Sequence, residues 1–552
     1  VTRTLATFAQ PGSFVSPAGQ AGEILVGRKV ANTSFLRALI QYGSFDQYCF
    51  IVGENGDIES IQGLLEGMED ELVDRIVIRN VLDLPDVLAA GEISVLHQNS
   101  HADQMGPLLA LRDRYAAKAV PVTGQIHSLS YPDMMTNYLN TCLAQPSRTD
   151  AVFCSSTPGK EVVERCFADV IAGLGQQGMT LQAPQWDMPV IPLGISCATL
   201  AGGDSQTMRR KLKIPEDAFV VLSMARFTEF DKMDIFPVLA AFASFKEVVG
   251  ADGRKPWLVL AGARQGTKTP EMIELWAKGL GLSDQLTLRV DFPEEEKADL
   301  LAAADLFISP SDNPQETFGI TVIEAMAAGL PVIAADLNGY KDTVPAEVGI
   351  RVATHWNADM ERISELGPLL YQRPLHLFLG QSIEVDLNEL ADGMTSLYRD
   401  DKRRAAMSEA ARARALDLYD WSRVIPQYQA VWDELASRPH TQRPNHRHPL
   451  MMDFQRVFGH YPTTVRNGSR KVKRSALADA CCQGENAYPI YPELKNIFDG
   501  NAVMSALHLA SEAIEIASLE QAVAEAVYPH STWRASFLVA WMVKHALLES
   551  TV

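Results

Sequence analysis

At 552 residues the chain is long enough for three or four domains. A hydrophobic fraction of 47% with 21% charged residues is ordinary for a soluble globular protein, and a formal net charge of −19 argues against a general nucleic-acid binder. The seven cysteines (49, 142, 154, 166, 197, 481 and 482) have no CxxC and no metal-ligand spacing, which fits reduced thiols in a cytoplasm better than a disulfide framework.

Residues 1–195 alternate short apolar runs with helical patterns, as a parallel sheet covered by helices on both faces does. The opening VTRTLATFAQPGSF has no apolar core long enough for a signal peptide, and no strand is evident in it. Residues 19–22 (GQAG) are expected to form a flexible loop able to approach a phosphate, with a helix over 31–42 behind it. Strands are expected at 48–52, 75–78, 93–97 and 119–123. The loop GQIHSLS follows the last of these directly, so His127 should face the crevice at the sheet's carboxyl edge. Residues 151–156 read as strand and turn, 159–170 as helix, and 190–195 (VIPLGI) as a strand ending in a sharp bend.

The α/β alternation restarts over 211–415. A strand at 219–225 runs straight into Arg226-Phe-Thr-Glu-Phe-Asp-Lys232. Two cations at a strand's carboxyl end suit a diphosphate, Arg226 as a planar fork and Lys232 as a compact charge. Strands at 256–262 and 286–290 and helices at 271–278 and 294–304 continue the pattern. Residues 305–311 (DLFISPS) read as a buried strand, and 320–328 as a helix stopped by Gly329 and Pro331. That helix aims its N-terminus, with the amides of Thr317, Phe318 and Gly319, at whatever lies beyond the strand, and a helix N-terminus favours an anion. Glu324, about one turn into the helix, can reach a pair of ribose hydroxyls; Glu316, on the loop, can hydrogen-bond a second polyol.

Beyond 344 the run 351–372 is irregular, then strand 382–386 and helices 387–397, 403–418 and 424–435 follow, with Trp421 as a packing aromatic. Residues 438–474 change character: nine Lys and Arg stand against one acidic residue. The expectation is a solvated linker, with docking on an acidic partner, an anionic lipid or an anionic acceptor as alternatives. His440, His446 and His448 sit among prolines without a carboxylate or thiolate, so no metal site is expected. Residues 501–549 are helical; the apolar helix 533–548 carries Arg534, Lys544 and His545 and is shorter than the ~20 residues that span a bilayer.

Glu316-Thr-Phe-Gly-Ile-(three residues)-Glu324, followed by AMAAGLPVI, closely resembles the E-x7-E region of family 4 glycosyltransferases, retaining enzymes of the GT-B fold. The resemblance extends to Arg226 and Lys232, although Ala225 stands where glycine is usual and Met233 follows the lysine. It also includes His127, similar to the family's amino-terminal-domain histidine, and 190–195, where Ser196 replaces the usual aspartate. It implies an α/β GT-B protein: an acceptor domain over 1–195, a nucleotide-sugar domain over 196–418, and a helix over 419–437 crossing back to the first domain. A basic linker over 438–474 and a mainly helical extension over 475–552, suited to oligomer contacts, would lie outside the family pattern. It further implies metal-independent, front-face transfer of a sugar from a nucleotide-diphospho-sugar to an unknown hydroxyl acceptor. Arg226, Lys232 and the amides through Ile320 would stabilise the departing diphosphate, Glu316 and His127 would orient the sugar, and Glu324 would hold the ribose. His97 and His101, at the end of another expected strand, read as structural histidines, with the acceptor side as the alternative. No cofactor, nucleic acid or spanning helix is implied, peripheral membrane association stays open, and the location is cytoplasmic. The alternatives are a silent GT-B paralogue serving as a partner-binding subunit, or another GT-B enzyme such as an epimerase or phosphorylase.

Overall fold

The computed structural model describes residues 2–9, 14, 27–53, 55–250, 253–439, 443, 446–464, 468–529 and 531–551. The glycine loop expected at 19–22 and His440 lie outside these residues.

Two six-stranded parallel sheets dominate. The first comprises β1 (Thr4–Ala9), β2 (Gln47–Val52), β3 (Ile76–Asn80), β4 (Val95–Gln98), β5 (Val122–Gln125) and β6 (Ala151–Phe153), in the order β3-β2-β1-β4-β5-β6. The second comprises β7 (Phe219–Met224), β8 (Pro256–Gly262), β9 (Leu286–Val290), β10 (Leu306–Ser309), β11 (Val332–Ala335) and β12 (Gly349–Val352), in the order β12-β11-β10-β7-β8-β9. Numbered within each half, both orders are that of a doubly wound dinucleotide fold, whose strand direction of progress reverses between the first and fourth strands. The crevices therefore open beyond β1/β4 in one half and β7/β10 in the other.

Strand β1 is a correction, because the sequence gives no sign of it. It pairs with β2 over all six residues and with β4 over Leu5–Thr7. Thr4 and Thr7 interrupt the apolar run, yet both are buried because helices cover both faces of the sheet. Residues 190–195 make no strand of their own, only an isolated bridge between Val190 and Cys154 and another between Ile195 and Asp420.

Helix Trp421–Ser437 lies on the first sheet although it follows the second in the chain. Its Trp421, Val424, Ile425, Tyr428 and Trp432 share one core with Leu5, Phe50 and Phe153. Two polar tips are satisfied inside it: Tyr428 OH donates to Gln125 Oε1 at 2.6 Å, and Trp432 Nε1 to Thr123 Oγ1 at 3.1 Å. A single turn of π-helix, Ala415–Tyr419, precedes it.

Three regions differ from expectation. The run 351–372 is ordered rather than irregular: β13 (Thr354–Trp356) pairs antiparallel with β14 (Ile383–Val385), which lies on the strand expected at 382–386, and closes an excursion carrying helices Glu361–Leu366 and Gln372–Gly380. The described residues Arg438, Arg443 and His448 strap the start of the expected linker to the first domain rather than leaving it free in solvent. Arg438 pairs with Asp187 at 2.7 Å, Arg443 with Asp113, and buried His448 Nε2 meets Asn140 O at 2.7 Å. The end of the expected linker is strand β15 (Lys471–Arg474), which forms a small sheet with β16 (Ile514–Glu515) and β17 (Leu548–Ser550) in the order β16-β15-β17. Strand β16 splits the helical run expected over 501–527 into Gly500–Leu509 and Ile516–Ala526. This mostly helical unit has its own core around Leu507, Leu519, Leu538 and Met542. Arg534 ties it to the first domain through a forked pair with Asp83 at 2.8 and 2.6 Å.

Candidate active site

The loop after β10 and the loop after β7 meet at the switch point of the second domain, which is why chemistry gathers there. Helix Ile320–Ala327 starts at Gly319, whose φ of +92° is left-handed. A Cβ there would lie 2.2 Å from Tyr340 Cε1, so glycine is required by both conformation and space. The helix ends as expected, with Gly329 at φ +83° just past its C-cap Ala328.

Glu316 forms an ion pair with Lys232, both side chains about 14% exposed. Its Oε1 also accepts Phe318 N–H at 3.3 Å. Burial pushes the Glu316 carboxyl up, but Lys232 and the amides of Phe318 and Gly319 outweigh burial and hold it below its ordinary range. The carboxylate thus sits on the helix N-terminus where an anion is favoured. Arg226, just beyond β7, donates to Asp231 Oδ2 at 2.9 Å. Gly262 makes that turn possible, since a Cβ there would overlap Ala225 O at 1.6 Å.

Glu324 has a different partner, one the sequence does not announce. Lys297 Nζ donates to its Oε1 at 2.9 Å and also pairs with Glu294. Burial raises the Glu324 carboxyl, and Lys297 offsets that only in part. Glu324, Lys297 and Ile320 line a cavity of about 400 Å³ whose other wall is Ser34 and Arg37 of helix Gly27–Tyr42 with Gly194 and Trp421. That cavity lies between the two domains. A larger one, about 870 Å³, lies between helix Thr157–Gln176 and residues 183–189 and is lined by none of the site residues.

His127 follows β5, half-buried, with Nε2 2.7 Å from Asn99 O. His97 and His101 are core residues, not lining of the acceptor side. His97 Nδ1 bonds Thr123 Oγ1 at 3.0 Å amid Phe35, Phe153 and Trp432, and His101 Nε2 bonds Tyr138 OH at 2.9 Å. Burial lowers both imidazoles to about 3, which keeps them neutral.

The domains touch at this site. Ser156 Oγ donates to Thr317 O at 2.7 Å. His376, on helix Gln372–Gly380, reaches Ser130 Oγ and Ser130 O, each at 3.2 Å, packs its ring 5.3 Å from that of Tyr131, and bonds Gln315. His376 therefore ties the loop carrying His127 to the loop carrying Glu316. Asn313 is held by the carbonyls of Phe230 at 3.0 Å and His376 at 3.3 Å. Asp312 accepts Asp234 N–H at 3.2 Å, and burial raises its carboxyl to about 7. Lys297, His376 and Asp312 carry no motif that would single them out. The EEEK run at 294–297, charge placed at a helix start, was the one signal available for Lys297.

Two doubly wound domains facing each other across a cleft, with an anion-favouring helix N-terminus on one wall, define the GT-B architecture. Residues 204–366 match the family described as glycosyl transferases group 1, so the second half carries a domain of that kind. D-inositol 3-phosphate glycosyltransferase of Geodermatophilus obscurus is 32% identical over 155 residues, 28% of this chain and 34% of that protein. D-inositol 3-phosphate glycosyltransferase 1 of Catenulispora acidiphila is 27% identical over 366 residues, 60% of this chain and 82% of that protein. The aligned stretch thus spans only a third of the first relative's length. Sucrose-phosphate synthase of Thermosynechococcus elongatus superposes with a TM-score of 0.52 at 18% identity, covering 78% of this chain and 99% of that one. Anabaena HepE, solved in complex with UDP-glucose, gives 0.51 at 16% identity, covering 79% and 100%. At such identities the likeness is one of fold.

Proposed function

We propose that the chain is a retaining, metal-independent glycosyltransferase that moves a sugar from a nucleotide-diphospho-sugar to a hydroxyl acceptor. The observation that carries the reading is the Lys232–Glu316 pair seated on the amides of Phe318 and Gly319, with Arg226 on the adjoining loop. A diphosphate brings the charge this place favours. It would draw Lys232 and Arg226 onto its oxygens and leave Glu316 to a sugar hydroxyl.

In this reading the bond from the sugar's anomeric carbon to the diphosphate oxygen breaks, and its electron pair leaves with the diphosphate. The acceptor oxygen attacks the face the diphosphate is leaving, and its proton passes to a departing phosphate oxygen. Arg226, Lys232 and the amides of Thr317 through Ile320 stabilise the leaving charge. His127 orients the sugar from the first domain, and Glu324, backed by Lys297, holds the ribose in the cavity between domains. Closure of the cleft excludes water and limits donor hydrolysis. UDP is the first nucleotide to try because HepE was solved with UDP-glucose, and an inositol phosphate the first acceptor because the relatives are named for one.

The test is thermal melting with UDP, GDP, ADP and dTDP, each with and without EDTA. One of the four should raise the melting temperature at millimolar concentration equally in both conditions. If none does, the donor site is misread; if EDTA removes the effect, the metal-independent form is.

A further inference from the structure

The run 450–461 exposes large apolar side chains close together. Leu450, Met451, Met452, Phe454, Phe458 and Tyr461 are all exposed, Phe454 at 71% and Tyr461 at 73%, and none belongs to any of the five cores among the described residues. The backbone beneath them is ordered. Met451 N–H donates to His448 O at 3.0 Å, and Asp453 caps the turn Phe454–Phe458 by accepting Arg456 N–H at 2.9 Å. The rings of Phe454 and Phe458 stack with centroids 6.2 Å apart, and Phe458 meets Tyr461 at 5.4 Å. Buried His448 pins the near end of the run to the first domain. The result is a fixed apolar ridge.

Charge decides what covers it. The ridge lies within 438–474, where nine Lys and Arg stand against one acidic residue in a chain of net charge −19; Arg438, Arg443, Lys473 and Arg474 are answered by carboxylates outside the segment, and Arg447 lies 3.9 Å from Asp453. Arg447 and Arg456 are exposed within or beside it, and Arg470 and Lys471 lie exposed past its far end. A second copy would bring an equally basic ridge against this one, and like charges resist that contact. A bilayer with anionic headgroups meets both demands. Aromatic rings and thioethers enter the interfacial layer while arginines stay among the headgroups, and an otherwise acidic surface is turned away. We propose that the ridge 450–461 docks the protein on an anionic membrane surface.

Flotation of the full chain with vesicles tests this. Partition onto phosphatidylcholine mixed with phosphatidylglycerol should exceed that onto phosphatidylcholine alone by about tenfold. Sodium chloride at about 0.5 M should remove most of the difference. Phe454→Ser combined with Tyr461→Ser, and separately Arg447→Gln combined with Arg456→Gln, should bring partition down to the phosphatidylcholine level with melting temperatures unchanged. Equal partition onto both vesicle types overturns the proposal, as does undiminished binding by both variants. A concentration-dependent dimer in light scattering, dissolved by the Phe454/Tyr461 pair of changes with no vesicle binding by the unaltered chain, overturns it in favour of a self-interface.

Discussion

Glu316→Gln separates the two jobs of the helix N-terminus. In the structure Glu316 engages Lys232 and the amides of Phe318 and Gly319, so a donor diphosphate must compete with it for the same groups. Glutamine keeps the size and an oxygen for the Phe318 amide but removes the charge that holds Lys232. Breaking a fully buried pair costs ~3–5 kcal/mol. Both side chains retain about 14% exposure, so water screens part of this and ~1–3 kcal/mol of stability is the expected loss. A diphosphate that finds Lys232 released recovers some of that energy. Its affinity should hold or tighten by about three- to tenfold, since about 1.4 kcal/mol is tenfold. Turnover should fall by about 10²–10³, the usual loss for a polar contact on the reacting centre. Melting with and without the nucleotide and steady-state transfer together supply the readout. The variant should melt lower alone, gain a larger nucleotide shift than the unaltered protein, and turn over slowly. Wild-type turnover, or nucleotide binding weakened more than about tenfold, would refute the competition argument.

Three other changes probe the groups around it. Asp312→Asn removes a carboxyl that burial raises from 3.8 to about 7. A raised acid favours folding below 3.8 and loses that advantage as pH rises towards 7, so the variant should match the parent at pH 4 and melt higher at pH 8. At about 1.4 kcal/mol per tenfold in proton affinity, the ceiling on that gain is ~4 kcal/mol; a difference independent of pH would show that Asp312 is not the group responsible. Gly319→Ala forces a Cβ to 2.2 Å from Tyr340 at a φ of +92°, so melting should fall by the equivalent of ~1–3 kcal/mol and the nucleotide shift should vanish. His376→Ala cuts the bridge between Ser130 and Gln315 and should lower kcat about tenfold while nucleotide affinity stays within about twofold, measured by kinetics beside titration calorimetry.

Much of the architecture was legible because it is local. Strands β7 to β10 and helix Ile320–Ala327 fall within a residue or two of expectation, since apolar runs, Gly329 and Pro331 mark them within a single window. Strand β1 escaped for the opposite reason. It is central, its two threonines are buried by helices distant in sequence, and nothing near it reports that burial. Within the excursion 353–386, β14 falls on the strand expected at 382–386, whereas β13 escaped because three residues are too short to show a period. The C-terminal sheet escaped because β15 pairs with residues more than forty positions away.

The site divides along the same line. Arg226, Lys232, Glu316 and Glu324 stand at strand ends and a helix start, where topology alone predicts a ligand. What the sequence could not supply is which charge answers which. Glu324 is backed by Lys297 from the preceding helix, Arg226 is held by Asp231, and His97 is committed to Thr123 within a core closed by Trp432. A strand-end histidine in a doubly wound sheet normally faces the crevice. Here helix Trp421–Ser437, arriving from the other domain, covers that position and turns His97 into packing. His127, three residues past Gly124 on the next strand, escapes the cover and stays half-exposed. The returning helix therefore decides which of two similarly placed histidines is sealed in the core and which stays partly exposed, and it does so through contacts more than three hundred residues apart in the chain.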